Sequence, residues 1–468
     1  MVAVWGKAPS GRWLGYAAVL VSLITVCTTA TAAHRTHHRP DHPPRSTRRP
    51  SPAPSPRPTA SLRPMVLIIG GTGMIKVQTG ESPAVLATAE IYSPTGDSTP
   101  VNPMTTDRSH HSATLLPSGG VLVVGGVNAL FVPLLSGPAV PWLLSSTDLF
   151  DPKSGRFTAG ANMTAARDSP SATMLYNGKV LIVGGGTSSA ELYDPNTGKF
   201  SATGPMAAER YGQTSTLLTS GKILVAGGGS NQAELYDPAT GKFSPTGKMD
   251  QNRIYHTATL LLDGRVLIAG GSPYARSSAT DSTELYDPLS GVFEAGPKMQ
   301  KSRAGHTATL LTNGQVLIAG GHDDNTAEIY DPVAEQFNGT GNMSASRFGH
   351  TATRWPDGRV LIAGGWNKSY QPLATAETYD PKTGEFTQGG SMTEPRADHT
   401  ATLIWVRWPI TWTRPSPAAT PTSSPTPTPS PTSVRSTPVR TAPPSAKPSS
   451  PATTPGKMAA PTHTLPRE

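Results

Sequence analysis

One unit recurs seven times between residues 65 and 407, and this constrains the possible fold more than any other feature of the chain. Each copy has an apolar run ending in a Gly-Gly pair, whose first member is Gly70, Gly125, Gly184, Gly227, Gly270, Gly320 or Gly364. An acidic–apolar–aromatic segment follows, beginning at Glu90, Asp148, Glu191, Glu234, Glu284, Glu328 and Glu377. Then comes Met-x-x-x-Arg, from Met104/Arg108 to Met392/Arg396, with a spacing of four in every copy. The period is about 49 residues.

Each copy parses into four strands, here A to D. His306 to Leu311 is rich in β-branched residues and predicts strand A. Asn313-Gly314 then predicts a tight hairpin turn. Val316 to Ala319 is a short apolar run, as a strand buried on both faces requires, and predicts strand B. Glu328 to Tyr330 predicts strand C. Turns such as Asp194 to Gly198 lead into strand D, which carries Phe200 and its equivalents. A sheet this small cannot bury two apolar faces alone, but sheets stacked radially and closed into a ring can. The expected fold is therefore all-β: a seven-bladed β-propeller of four-stranded blades over residues 65–407. The terminal copies are complementary. Arg396 to Leu403 begins a copy that never reaches Gly-Gly, and Met65 to Gly71 is a strand B with no lead-in. Residues 399–405 are thus expected as the innermost strand of the blade holding 65–104.

The Gly-Gly pairs, the downstream Tyr or Phe and the Arg-x-x-His lead-ins (Arg253/His256, Arg303/His306, Arg347/His350, Arg396/His399) resemble the kelch family of β-propellers. The wording around His306 is most similar to repeats in the central domain of galactose oxidase. The resemblance implies the propeller fold and says little of activity, since one fold hosts many chemistries. Galactose oxidase-like enzymes use copper and a tyrosine cross-linked to a cysteine. Cys27 is the only cysteine of this chain and lies upstream of the repeats, so that cofactor is not expected. A disulfide scaffold is excluded on the same count.

A residue present in every copy is read as architectural. Each repeat Arg is expected to pair with a strand C acid. His111, His256, His306, His350 and His399 are expected to bond local backbone rather than metal. No catalytic residue and no cofactor is assigned, because no nucleophile elbow, HExxH or phosphate loop occurs. Function is sought where copies differ. From the first Gly of each pair to the strand C aromatic the spacings are 22, 25, 9, 9, 16, 10 and 15 residues. The excess marks the B–C loops of blades one, two and seven, with a smaller one at blade five. Residues 127–146 are nearly all apolar. Phe131, Leu134, Leu135, Trp142 and Leu143 are therefore the binding candidates, with Trp366 and Tyr370 from blade seven.

Both ends differ from the repeats. Residues 1–33 carry Lys7, Arg12 and the apolar run Leu14–Cys27, and read as a signal peptide or signal anchor. Residues 34–64 form a basic Pro/Arg/His-rich linker, and 408–468 a Pro/Thr/Ser-rich tail, both expected to be disordered. The formal net charge is +8, yet residues 65–406 alone carry −6. The basicity belongs to the tails, so nucleic acid is not an expected partner of the folded part. The reading is a monomeric binding or scaffolding module, secreted or envelope-associated, for a protein or a cell-surface glycan. The tails could touch an anionic envelope. The alternative is an enzyme acting on carbohydrate, mutarotase-like or a degenerate oxidase relative.

Overall fold

The computed structural model describes residues 61–408, apart from 78–79, 129–141, 275–277 and 322–323. The signal segment, the linker up to residue 60 and the tail from residue 409 lie outside the described residues. What is described is seven four-stranded antiparallel sheets and one extra hairpin, Thr72–Val77 with Gly80–Val85. The fold is a seven-bladed β-propeller.

Blade six shows how a repeat becomes a sheet. Its strands are Thr307–Leu310, Val316–Ala319, Ala327–Asp331 and Gln336–Gly339, hydrogen-bonded in that order. The A–B turn works because Gly314 takes φ +87°, while Asn313 Oδ1 accepts the Gln315 amide at 3.1 Å. Strand B lies between A and C and faces a neighbouring blade on each side, so all four of its residues are buried. Strand D is the outer edge and is largely exposed.

Burial is divided among seven apolar clusters, each shared by two adjacent blades. The repeat Met fills these seams: Met299 packs with Leu267 and Ala269 of blade five and with Val316 and Ile318 of blade six. The ring closes through the split copy. Strand Thr400–Trp408 pairs antiparallel with Ser61–Ile69, with Met65 opposite Ile404 and Ile69 opposite Thr400. Ser61 and Leu62 extend strand B of this blade rather than supplying its innermost strand.

Each repeat Arg is buried and meets the strand C acid of the blade it leads into, at 2.8–3.1 Å in all seven copies. Its Nη1 also donates to the carbonyl of the first Gly of that blade's pair, at 2.6–2.9 Å. The Arg backbone carbonyl reaches the other way. The Arg108 carbonyl accepts the Gly71 amide of the preceding blade at 2.9 Å. A Cβ on Gly70 would stand 2.5 Å from that carbonyl, so the glycine permits the approach. Each Arg thus fixes one blade with its side chain and the next seam with its backbone.

Candidate functional site

The D–A lead-ins converge at one end of the axis, beside the B–C loops. The residue just before strand A's lead position occupies left-handed backbone in all seven blades. Gly212, Gly305 and Gly349 do so at φ 60–64°, and His110, Ser169, Tyr255 and Asp398 at φ 52–55°. Successive members join head to tail: the Asp398 amide donates to the Gly349 carbonyl at 2.9 Å, and the His110 amide to the Asp398 carbonyl at 3.1 Å. Six of the seven links round the ring are such bonds. Four blades therefore hold a side chain where backbone sterics favour glycine, at a cost of about 1–2 kcal/mol each.

Three of these four, His110, Tyr255 and Asp398, line a cavity of about 310 Å³ at the axial mouth. His110 lies between two carboxylates, its Nδ1 3.5 Å from Asp168 and its Nε2 3.3 Å from Asp398. Burial alone would lower the His110 pKa, but the charges of Asp398 and Asp168 prevail and hold it well above the ordinary value. Burial would likewise raise Asp398, but His110 and the indole N–H of Trp366, 2.7 Å away, bring it below the usual carboxylate range. Gly349 leaves room for this carboxylate, since a Cβ there would sit 2.4 Å from Asp398 Oδ1.

The walls are aromatic. Tyr255 donates its hydroxyl to that of Tyr211 at 3.0 Å, and burial, then Tyr211, raise its pKa. Tyr274 accepts from the Asn252 amide at 3.2 Å and is 63% exposed. Phe348 and Trp366 complete the wall.

The sequence-based candidates distribute unevenly over this mouth. Trp366 lines the cavity, and Tyr370 packs edge-on against Phe348 with ring centroids 5.5 Å apart. Trp142 and Leu143 are 74% and 45% exposed and are not among the described residues that line it. Phe131, Leu134 and Leu135 lie outside the described residues. Among the described residues, the cavity draws on the B–C loops of blades five and seven and on the lead-ins of blades one, two, five, six and seven. Sequence reasoning passed over His110, Asp168, Tyr255, Tyr274, Phe348 and Asp398. A signal existed for three of them: the position before the repeat His is glycine in some copies and His, Tyr or Asp in others.

The recurrent histidines have a partner beyond the expected local backbone, which His111 and His350 meet at Arg108 and Arg347. Each Nε2 meets a threonine hydroxyl of the preceding blade: His306 meets Thr257 and His350 meets Thr307, both at 3.0 Å. His111, His256 and His399 repeat the contact with Thr400, Thr214 and Thr351. Burial, then the neighbouring Arg, lowers His256, His306, His350 and His399 to about 3. They form a neutral belt beneath the mouth.

A Kelch motif family model matches residues 356–393, from the A–B turn of blade seven to just past its strand D. That segment is a kelch motif. Among solved structures, this kelch propeller is similar to a fungal alcohol oxidase of the AA5 family, described as catalytically diverse and in complex with copper. The two are 17% identical with a TM-score of 0.51, over 74% of this chain and 76% of that one. It is also similar to YjhT, at 13% identity and a TM-score of 0.47, over 61% of this chain and 99% of the other. No curated protein matches the chain. At these identities the likeness is one of fold.

The kelch mouth does not fit the copper centre of galactose oxidase-like enzymes. No cysteine occurs among the described residues. Both His110 nitrogens face carboxylates, and His256 Nε2 meets the Thr214 hydroxyl. Among the described residues, no three His, Cys, Asp or Glu side chains gather where they could hold a metal ion.

Proposed function

We propose that the chain is a carbohydrate-binding module whose ligand enters the axial mouth. The observation that carries this reading is a ring-sized cavity of about 310 Å³ with aromatic walls and a charged floor, built from lead-ins of five blades. Rings such as Trp366 and Tyr274 offer apolar faces to the C–H faces of a sugar, and His110 and Asp398 offer polar atoms to its hydroxyls. The cost of left-handed backbone at Tyr255, His110 and Asp398 supports a role for those side chains beyond folding. The exposed Trp142 and Leu143 would form a rim against which a larger partner rests. The apolar run Leu14–Cys27 and the cysteine-free body support a place outside the cytoplasm, and fractionation of the producing cell checks this.

Calorimetry of the full chain against a panel of short oligosaccharides tests the reading. Trp366→Ala and Tyr274→Ala should each weaken binding about tenfold, with melting little changed for the exposed Tyr274. Binding that survives both substitutions would place the ligand elsewhere. The second reading is a sugar isomerase, supported by the Asp168–His110–Asp398 row, which could pass protons. The raised His110 pKa counts against a base at neutral pH. Accelerated anomeric exchange of a bound sugar, followed by NMR and lost in His110→Gln, would favour it.

A further inference from the structure

The charges at the mouth are unequal, and their imbalance bears on which sugar fits. Asp398 lines the cavity and Asp168 stands behind it, against the single imidazolium of His110. No Lys or Arg is among the described residues that line it. Two carboxylates therefore stand against one imidazole at the mouth, within a body of residues 65–406 that carries −6.

The internal cation is loosely held. Its contacts of 3.5 and 3.3 Å exceed the roughly 2.7–2.9 Å of a strong charge-assisted bond, and His110 is 37% exposed. The Nε2 contact and the Trp366 bond both use Asp398 Oδ2, and neither uses Oδ1. Tyr255, Tyr274, Phe348 and Trp366 line the cavity with this carboxylate, Trp366 turning its indole N–H edge to it, and aromatic ring faces attract cations. A neutral sugar would gain stacking and hydrogen bonds but no attraction between charges. A uronate or a phosphorylated sugar would have to approach two carboxylates.

We infer that the ligand of the mouth is an amine-bearing sugar, of the unacetylated glucosamine type, its ammonium placed against Asp398 and the aromatic walls. This rests on the carbohydrate-binding reading and narrows it. A protonated amine adds a Coulombic and a cation–π contribution that an N-acetyl group lacks. It also shares a carboxylate that His110 only partly neutralises.

The test compares three oligomers of equal length on the full chain at low salt and pH 6: a glucosamine trimer, its N-acetylated counterpart and a galacturonate trimer. The glucosamine trimer should bind at least about tenfold tighter than the N-acetylated one, and the uronate should not bind. Asp398→Asn should remove this preference, so that the glucosamine and N-acetylated trimers bind the variant with equal affinity. Asparagine tolerates the left-handed backbone, so the ring should persist, and a melting curve checks that it does. Equal affinity for the two glucosamine trimers overturns the amine inference and leaves the carbohydrate reading standing. Failure of all three trimers and of the wider oligosaccharide panel overturns both. A lysine-rich peptide that binds as tightly as the glucosamine trimer overturns the sugar and keeps only the cation.

Discussion

At the scale of single residues, the informative contrast is between positions that repeat and positions that do not. The repeat Arg was legible because all seven copies carry it at fixed spacing from Met, and each forms the ion pair that seven strand C acids suggested. Of the mouth residues, Trp366 alone was singled out from the sequence. Between Arg and the repeat His the chain reads Ser-His, Ile-Tyr, Ala-Gly or Ala-Asp, which resembles loop variation until the backbone shows one left-handed site in every blade. That site makes a direct prediction. Tyr255→Gly and Tyr255→Ala both give up the Tyr211 contact and the buried part of the ring, but only glycine relieves the backbone cost. Glycine returns part of the gain as unfolded-state entropy. The Gly variant should therefore exceed Tyr255→Ala, which keeps the strained backbone, by up to about 1 kcal/mol in stability. Both should lose ligand. Denaturant midpoints for the pair decide it, and a Gly variant less stable than the Ala variant would show that no strain is held there.

At the scale of the element, the innermost strands are tied to each other by the His–Thr belt. The sequence marked these histidines as architectural and pointed to local backbone rather than to the neighbouring blade, because a hydrogen bond between blades has no signature within a repeat. The belt has a consequence for acid stability. Unfolded, each imidazole takes a proton near pH 6.5, whereas His256, His306, His350 and His399 stay neutral in the fold to about pH 3. Between those limits the unfolded state binds more protons, so stability is full above about pH 6.5 and falls as the pH drops. Each imidazole contributes up to about 1.4 kcal/mol per pH unit. His110 acts oppositely: its raised pKa gives stability below about pH 6.5 that is lost as the pH rises through the folded value. Blade four already shows a substitute for the belt histidine. Gln213 stands in its place, and its Nε2 donates to Ser171 of the preceding blade at 3.0 Å. His306→Gln should therefore fold. Its urea midpoint should fall less steeply than the parent's between pH 6 and 4.5, by about one imidazole's contribution. An unchanged slope would mean that His306 is not kept neutral by the fold.

At the scale of the whole molecule, closure joins strands more than 300 residues apart, and it was readable because the first and last copies lack complementary parts. Closure matters beyond one strand's hydrogen bonds. The strand Thr400–Trp408 supplies Ile404 and Val406 to the seam between blades one and two, and Ala401 and Leu403 to the seam between blades seven and one. Its lead-in supplies Arg396, buried against Glu90 at 3.1 Å. A chain ending at Pro395 thus opens two of the seven seams and leaves Glu90 without its cation, buried where an unpaired charge costs about 3–5 kcal/mol. Blade one would also present strand Ser61–Ile69 as a bare edge at the axis, a surface that invites pairing with a second chain. The expected outcome is a large fall in melting temperature, fast amide exchange in blades one and seven, and self-association that grows with concentration. Blades three to five keep their seams and should exchange last, since the clusters there involve neither end of the chain. Adding a peptide of residues 396–408 in trans should restore slow exchange in blade one by refilling the vacant position. If the truncated chain melts with the parent, the two ends contribute no closure energy and the ring is held by the other five seams alone.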